Sequence, residues 1–367
     1  MTIRLGIVGG GQLGRMLALA ALPLDVRCVT LDPGVDSSAS QVAPSIVAPY
    51  DDREALARLA AQVDVLTYEF ENVPVEAARF VEERVPVLPP PAALEASQDR
   101  IAEKALFDAA GLSVPPYAAV DSLATLEQAL ATIGMPAVLK TRRLGYDGKG
   151  QAVIRDPLLA EDAWRSIGGM PAIVERFVGF DRELSIVAAR GLDGAFASYP
   201  LVENVHHEGI LRLTRAPAPS VPPALYVAAE AHARSVMDEL RYVGVLAIEL
   251  FQVGETLLGN EFAPRVHNTG HWTIEGAETS QFEQHVRAVC GLPLGPTTLR
   301  GLSTMVNLIG DAPPTDAIAA IPGAHVHLYG KSPRPGRKVG HVTVRADDPQ
   351  ALGRSLERVL TLVGEGS

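Results

Sequence analysis

Two glutamates occupy matching positions after neighbouring apolar stretches. Glu249 follows the apolar run 243–248, and Glu261 follows Asn260 after the stretch 256–259. This spacing suits a strand, a turn and a returning strand, which would bring both carboxylates to one side of a metal ion. Hard oxygen ligands of this kind suit Mg²⁺ that bridges nucleotide phosphates. The alternative is a pair of solvated acids at strand ends, but a glutamate that closes a hydrophobic run disfavours it.

A lysine and a glycine-rich segment form a second group. Lys140 ends the apolar stretch 137–140, and Leu-Gly-Tyr-Asp-Gly-Lys-Gly-Gln covers residues 144–151. Two strands joined by such a loop can close over phosphates, because Lys140 and Lys149 supply positive charge and loop N–H groups bind oxygens. The segment is not a P-loop, since no Gly-Lys-Ser/Thr opens a helix. A plain β-hairpin with a glycine turn is the alternative.

Further acids could complete a nucleotide site. Glu175 and the following Arg176-Phe177-Val178 lie at a predicted strand end, where backbone groups could meet an adenine edge. Glu183 follows within reach of a ribose. Either glutamate could equally be a solvated residue.

The segment 264–272, Pro-Arg-Val-His-Asn-Thr-Gly-His-Trp, places many polar residues directly after an apolar scaffold. Such a cluster is costly unless it contacts a ligand, which is the interpretation that it favours. His267 or His271 could bind a metal such as zinc instead, but no helical histidine pair with acids accompanies them.

A basic turn covers residues 331–338, Lys-Ser-Pro-Arg-Pro-Gly-Arg-Lys, in a chain of net charge −11. Arg337 could offer a bidentate fork to a phosphate, and Lys331 a compact charge. The prolines would stiffen the turn and so reduce the entropy lost on binding. A solvated turn is the alternative.

An N-terminal glycine pattern suggests different chemistry. Gly9-x-Gly11-x-x-Gly14 lies between an apolar strand and a helix, and Asp32 ends the next strand. The pattern fits a dinucleotide fingerprint, and so an NAD-dependent dehydrogenase. The same loop can also serve a phosphate, another nucleotide or no ligand, and Asp32 can be a simple turn residue. Thermal unfolding with added nicotinamide cofactor separates these options, because only a cofactor that binds raises the melting temperature.

The elements that must position these groups follow from the apolar pattern. Strands at 3–8, 26–31 and 63–68 alternate with helices, which predicts an α/β fold with a parallel, doubly wound sheet. Helices are predicted at 12–22, 96–110 and 124–133, and further strands at 137–140, 151–154, 172–175, 184–189, 243–250, 256–259, 325–329 and 340–344.

Composition limits the class of protein. The 367 residues include 32 basic and 43 acidic side chains, which suits two or three globular domains and disfavours nucleic-acid binding. Two cysteines are too few for a disulfide scaffold or a Cys-rich zinc site. No apolar run approaches the ~20 residues of a membrane helix. We therefore expect a soluble cytoplasmic protein with neither a nucleic-acid nor a membrane partner.

The motifs together resemble the N5-carboxyaminoimidazole ribonucleotide synthetases, an ATP-grasp family of purine biosynthesis. The matching strings keep the family's order and lie at 9–16, 98–100, 145–151, 260–268 and 334–341. Asn72 and Lys149 depart from the residues that are common there, which puts only local contacts in doubt.

The resemblance implies an N-terminal Rossmann-like domain at 1–108, a small lid domain at 109–180 and a C-terminal ATP-grasp domain of α+β type at 181–367. It implies an ATP-dependent carbon–nitrogen ligase that carboxylates 5-aminoimidazole ribonucleotide with bicarbonate, through carboxyphosphate, and releases ADP and phosphate. Mg²⁺ or Mn²⁺ would be the cofactor, and the assembly would be a homodimer. The glycine loop would act as a lid, because carboxyphosphate hydrolyses readily in water.

The resemblance also implies residue roles. The ATP-binding residues would be Arg100, Lys140, Gly145, Tyr146, Asp147, Gly148, Lys149, Gly150, Gln151, Glu175, Arg176, Phe177, Val178, Glu183, His206, Asn260 and Glu261. The metal ligands would be Glu249 and Glu261. The ribonucleotide or bicarbonate would face Glu69, Glu71, Tyr146, Asp147, Arg265, His267, Asn268, Lys331 and Arg337.

Two further alternatives concern the same site. A sister ATP-grasp ligase could use formate or act as a carboxylase subunit, which a panel of bicarbonate and formate would decide. A nucleotide sensor could keep the fold without the chemistry, although the intact Lys140, Glu249 and Glu261 disfavour it.

Overall fold

A computed structural model describes residues 2–143, 145 and 150–364. The strands are β1 (Arg4–Val8), β2 (Arg27–Asp32), β3 (Ser45–Val47), β4 (Val65–Tyr68), β5 (Tyr117–Val120), β6 (Ala137–Thr141), β7 (Gln151–Ile154), β8 (Ala172–Arg176), β9 (Arg182–Arg190), β10 (Phe196–Ser198), β11 (Val202–His207), β12 (Ile210–Ala216), β13 (Gly244–Val253), β14 (Thr256–Ala263), β15 (Leu302–Ile309), β16 (Ala324–Leu328) and β17 (Lys338–Ala346). The α-helices are α1 (Gln12–Ala21), α2 (Arg53–Ala60), α3 (Val75–Glu82), α4 (Pro91–Ser97), α5 (Arg100–Ala109), α6 (Leu123–Ile133), α7 (Ala160–Ser166), α8 (Pro223–Glu239), α9 (Thr273–Gly276), α10 (Gln281–Val289), α11 (Thr315–Ala319) and α12 (Pro349–Val363). Among these helices, none is both long and apolar enough to cross a membrane.

The first sheet is parallel and has the order β3-β2-β1-β4. Helix α1 packs on one face of it, and α2 and α3 pack on the other. Leu5, Ile7 and Leu31 are fully buried because helices cover both faces of the sheet. Strands in such a position are rich in apolar residues. The predicted N-terminal parallel sheet is confirmed.

The second sheet, called the lid sheet, is antiparallel and has the order β5-β8-β6-β7. Helices α6 and α7 cover one face, and Leu139, Ile154 and Val174 lie in the shared core. Lys140 pairs with Gln151 across β6 and β7. The strands on either side of the glycine loop are therefore neighbours, as predicted.

The third sheet, called the central sheet, is antiparallel and has the order β14-β13-β9-β11-β12-β15-β17-β16, with β10 paired to β9. Helices α5 and α8 pack on one face, while α10 and the N-terminal helix α1 pack on the other. One parallel sheet followed by two antiparallel sheets agrees with the predicted α/β class and its α+β part.

One predicted helix is divided in two. The apolar pattern over 96–110 predicted a continuous helix, but α4 ends before Asp99 and α5 begins after it. Asp99 has extended backbone, and its carboxylate accepts the N–H of Ile101, which caps the start of α5. A capping residue therefore interrupts the pattern. Helix α5 packs on the central sheet, and the predicted domain boundary at residue 108 stays a prediction.

The two glutamates lie inside strands, and the prediction that they end them was wrong. Both β13 and β14 continue beyond Glu249 and Glu261. The strands continue because apolar side chains return after each acid, and Leu250 and Phe262 are buried. The predicted strand, turn and returning strand is confirmed.

A buried histidine joins the N-terminal domain to the central sheet. The Nδ1 atom of His285 on α10 accepts the N–H of Val245 at 3.1 Å, and its Nε2 lies 2.8 Å from the hydroxyl of Thr67 in β4. Since Nδ1 is an acceptor, the proton of the neutral ring is on Nε2. Burial lowers the pKa of His285 to about 3.

We predict that His285→Asn flattens the loss of stability in acid. The unfolded chain binds a proton at an ordinary histidine pKa of about 6.5, and the folded chain only near 3. Neutral His285 therefore contributes fully to the free energy of unfolding above about pH 6.5. This contribution is lost as the pH falls, at up to about 1.4 kcal/mol per pH unit. Urea unfolding at about pH 7 and about pH 5 measures the slope. Exposed His325→Asn is the control, and equal slopes in all three proteins would contradict the prediction.

Candidate active site

A cleft of about 470 Å³, called the main cleft, lies between the lid sheet and the central sheet. The predicted site residues that line it are Arg100, Lys140, Gln151, Phe177, Glu183, His206, Glu249, Asn260, Glu261, His267 and Asn268. A smaller cavity of about 90 Å³ adjoins it, and both are lined by Arg100, Glu249, Glu261 and His267. Side chains distant in sequence therefore converge on two connected spaces.

Glu249 and Glu261 oppose each other on paired strands. Burial and the facing Glu261 raise the pKa of Glu249 to about 8. Burial acts the same way on Glu261, but the positive charges of Arg100, Lys140 and Lys104 together outweigh it and lower the pKa of Glu261. Nη1 of Arg100 lies 3.2 Å from Oε2 of Glu261. Two partly buried acids that repel each other favour the binding of a cation between them.

The donor set fits a magnesium ion that also binds nucleotide phosphates. Both glutamates offer hard oxygens, and the side-chain amide of Asn268 in the same cleft is buried without a hydrogen bond. Within the described ranges, no group of three or more His, Cys, Asp or Glu residues could hold a metal. Phosphate or water oxygens would therefore complete the coordination. His271 does not join the site, because its Nδ1 lies 3.2 Å from the amide of Gln281.

Glu175 is buried between two lysines. Its Oε2 pairs with Lys140, which lines the main cleft, and its Oε1 lies 3.0 Å from Nζ of Lys104. Burial would raise the pKa of Glu175, but the two ammonium groups outweigh it and lower the pKa to about 2. The alternative of a solvated strand-end acid is therefore excluded for Glu175.

An ion pair and an aromatic pair also line the main cleft. Nδ1 of His206 lies 2.8 Å from Oε2 of Glu183, and this carboxylate raises the pKa of His206 against the effect of burial. The rings of Phe180 and Phe251 are stacked with centroids 4.7 Å apart and an angle of 5°. Their faces can pack against a planar base. The sequence argument missed this aromatic pair.

The smaller cavity holds a mixed set of charges. Arg265 forms an ion pair with Glu71, and both line the cavity. Nε2 of His267 lies 3.7 Å from Oε1 of Glu249, and its Nδ1 lies 3.1 Å from the hydroxyl of Thr269. Burial and the neighbouring Arg265 lower the pKa of His267 to about 3. The imidazole of His267 is therefore neutral at physiological pH.

The N-terminal glycine loop is occupied by the chain's own carboxylates. The N–H groups of Gly11 and Gly14 donate to Glu69 at 2.8 and 3.1 Å, and that of Gly10 donates to Asp32 at 2.7 Å. Gly9 has a φ of +106°, and a Cβ there would lie 2.5 Å from Cγ of Glu69. The glycines thus accommodate Glu69, which takes the place of a dinucleotide phosphate. This geometry removes the support for a dehydrogenase.

Family models cover most of the chain. An ATP-grasp domain matches residues 105–282, a ribonucleotide synthetase preATP-grasp domain matches 1–98, and a phosphoribosylaminoimidazole carboxylase C-terminal domain matches 303–355. The N5-carboxyaminoimidazole ribonucleotide synthase of Pseudomonas aeruginosa is 49% identical over 98% of this chain and 99% of its own length. The chain belongs to the N5-carboxyaminoimidazole ribonucleotide synthase family. It is an ATP-grasp ligase.

Solved members of the family share the whole fold. The Thermus thermophilus synthetase has 55% identity and a TM-score of 0.95, with 98% of this chain and 99% of that chain covered. The Aspergillus clavatus synthase, in complex with ADP and 5-aminoimidazole ribonucleotide, has 30% identity, a TM-score of 0.92 and 99% coverage of both chains. The predicted relationship to this family is confirmed.

The basic turn of this family member lies next to the N-terminal glycine loop, and its last residue, Lys338, lines the main cleft, whereas Lys331 and Arg337 line neither cavity. Lys331 hydrogen-bonds the side chain of Gln12 at the start of α1. Burial lowers the pKa of Lys331, Glu69 opposes this effect, and the positive charges of Arg337 and Lys338 add to it. Arg337 donates to the carbonyl and hydroxyl of Ser332 at 3.3 and 3.1 Å. The roles of Glu69, Lys331 and Arg337 toward substrate stay predictions.

The remaining predicted residues belong to two short segments. Tyr146, Asp147, Gly148 and Lys149 lie outside the described residues, whereas Gly145 lines the smaller cavity. The carbonyl of Gly150 accepts the N–H of Thr141 at 2.8 Å. Of the segment after Glu175, only Phe177 lines the main cleft, and Arg176 and Val178 do not.

The sequence argument also missed the contacts of Lys104 behind the main cleft. Its ammonium contacts Glu175, the carboxylate that also holds Lys140. One signal was available. The chain contains only five lysines among 32 basic residues. A codon preference for arginine is the simpler explanation of this count, and a position that arginine does not suit is the alternative.

Proposed function

We propose that the protein carboxylates 5-aminoimidazole ribonucleotide with bicarbonate in an ATP-dependent step of de novo purine biosynthesis. ATP transfers its γ-phosphoryl group to bicarbonate, which gives carboxyphosphate and ADP. The amine of the ribonucleotide then takes the carboxyl group, either from carboxyphosphate or from CO₂ released beside it, and phosphate leaves. The observation that supports this proposal is that the main cleft and the smaller cavity adjoin and share Glu249, Glu261 and His267 as lining residues.

The main cleft supplies charge for phosphoryl transfer, which depends on positioning and neutralisation. Arg100 and Lys140 bring positive charge to the phosphates, and Glu183 faces the ribose. Glu249 and Glu261 would hold Mg²⁺ or Mn²⁺, which neutralises phosphate oxygens when bound. Asn260 and the backbone after Glu175 complete the nucleotide site in this proposal.

The smaller cavity would receive the bicarbonate. Arg265 is oriented by Glu71 and can donate to a carbonate oxygen. His267 is neutral, so its imidazole can exchange hydrogen bonds with substrate without adding charge. Asn268 offers a free amide in the adjoining cleft. Tyr146 and Asp147 would join from the glycine loop.

The proposed function also includes a loop that closes over the site, a cytoplasmic location and a homodimeric assembly. The loop 145–150 would close over the site and exclude water from carboxyphosphate. A cytoplasmic homodimer is what the resemblance to the family implies. Sedimentation of the purified protein would test the dimer, and a single monomeric species at working concentration would refute it.

The direct test is ADP release in the presence and absence of each substrate. We expect turnover to require Mg²⁺ and bicarbonate and to be stimulated by 5-aminoimidazole ribonucleotide. Chromatography should show N5-carboxyaminoimidazole ribonucleotide forming in step with ADP. Equal ADP release with and without the ribonucleotide, at all concentrations, would indicate another acceptor. Turnover with formate in place of bicarbonate would favour the sister ligase.

A further inference from the structure

Lys104 lies on α5 behind the main cleft and is fully buried. Its Nζ lies 2.5 Å from the carbonyl of Asn260 and 3.4 Å from that of Gly259, both in β14. The same atom lies 3.0 Å from Oε1 of Glu175 in β8. One ammonium group therefore joins a helix to both sheets that enclose the cleft. Lys104 does not line the cleft itself.

Glu175 has two positive partners with different access to the cleft. Lys140 lines the cleft, and its side chain is 13% exposed. Lys104 has no exposed side-chain surface. Glu103, the neighbour of Lys104 on the helix, accepts the N–H of Phe262 at 2.8 Å. The nearest carboxylate to Lys104 is therefore the one that also holds Lys140.

This sharing matters when a phosphate enters the cleft. An ammonium group that turns from a buried carboxylate toward phosphate would leave that carboxylate unpaired, which is strongly unfavourable. A second cation that cannot leave removes this obstacle. Burial, Arg100 and Lys104 lower the pKa of Lys140, so an incoming phosphate also relieves repulsion around its ammonium group.

We propose that Lys104 is a positioning residue that keeps Glu175 neutralised while the ammonium group of Lys140 binds the nucleotide phosphates. Lys140 leaves Oε2 of Glu175, and Lys104 stays beside Oε1. Lys104 thereby controls nucleotide affinity without touching the nucleotide. The inference rests on the nucleotide site of the proposed function and is independent of the acceptor.

Calorimetric titration with Mg-ADP tests this without any acceptor. Lys104→Met should raise the Kd by about 10-fold, because among the described residues Lys140 would be the remaining ion-pair partner of Glu175 and would be held there. In a Glu175→Gln background, the same change should alter the Kd by less than about 2-fold, since the charge that Lys104 balances is gone. In steady-state assays, Lys104→Met should raise the KM for ATP and leave the KM for the ribonucleotide within about 2-fold.

Two results would overturn the proposal. One is an unchanged Kd in Lys104→Met. The other is an equal loss of affinity in the Glu175→Gln background, which would show that Lys104 acts through the carbonyl of Asn260 rather than through Glu175. The double variant lacks both members of the pair between Lys104 and Glu175, so its comparison with Glu175→Gln decides even where Lys104→Met does not fold. Normal nucleotide binding without ribonucleotide-stimulated turnover would refute the proposed function alone.

Discussion

Glu261→Gln should lower kcat by about 10²–10³-fold and leave the fold intact. The change keeps the volume of the side chain but removes one of two opposed carboxylates, and with it an anionic metal ligand. Arg100, 3.2 Å away, would then lack its partner and would no longer be balanced in the cleft. ADP release at saturating ATP, bicarbonate and ribonucleotide measures the loss, and circular dichroism checks the fold.

Glu255→Gln is the matched control. Glu255 lies in the turn between the same two strands and is exposed, so the same chemical change there should leave kcat within about 2-fold. Near-native kcat in Glu261→Gln at ordinary Mg²⁺ would show that the metal assignment is wrong. A partial recovery of activity at high Mg²⁺ would support a weakened metal site, because mass action restores occupancy.

Structure can be predicted best from the sequence where residues of one short segment both form the recognisable pattern and contact each other in the fold. The pair Glu249 and Glu261 could be placed on returning strands because their spacing suits a hairpin, and the structure pairs them directly. The strand ends were misjudged because a polar residue inside a strand resembles the end of an apolar run. The structure shows instead that the surrounding alternation continues through each acid.

The rest of the site could not be predicted because its contacts join distant segments. Lys104 and Asn260 are separated by 156 positions, and neither has a local pattern that indicates the other. The N-terminal glycines illustrate the same limit. Their motif indicates that an anion lies near the loop, but that anion is Glu69, 58 residues from Gly11. Only the fold shows which carboxylate approaches.

Lys331→Ala or Arg337→Ala should raise the KM for the ribonucleotide and leave the KM for ATP nearly unchanged. A charge-assisted contact with the 5′-phosphate is worth about 1.5–3 kcal/mol, which is roughly a 10- to 100-fold change in affinity. The reason for the separation is spatial. ATP phosphates would meet Arg100 and Lys140 in the main cleft, which neither Lys331 nor Arg337 lines, and Lys331 lies beside Gln12 at the start of α1. Steady-state kinetics that vary each substrate measure both constants.

Arg354→Ala is the control for the loss of one positive charge, because Arg354 is exposed on the last helix. It should leave both KM values within about 2-fold. An unchanged ribonucleotide KM in both turn variants would remove the turn from the substrate site.

The two variants should also differ in stability. Lys331 is partly buried near Glu69, so its loss leaves that carboxylate less well balanced and should lower the Tm, whereas the side chain of Arg337 donates to Ser332 of its own turn and its loss should have little effect on the Tm. A rise in KM shared by both variants, with a fall in Tm confined to Lys331→Ala, would therefore separate phosphate binding from structural support.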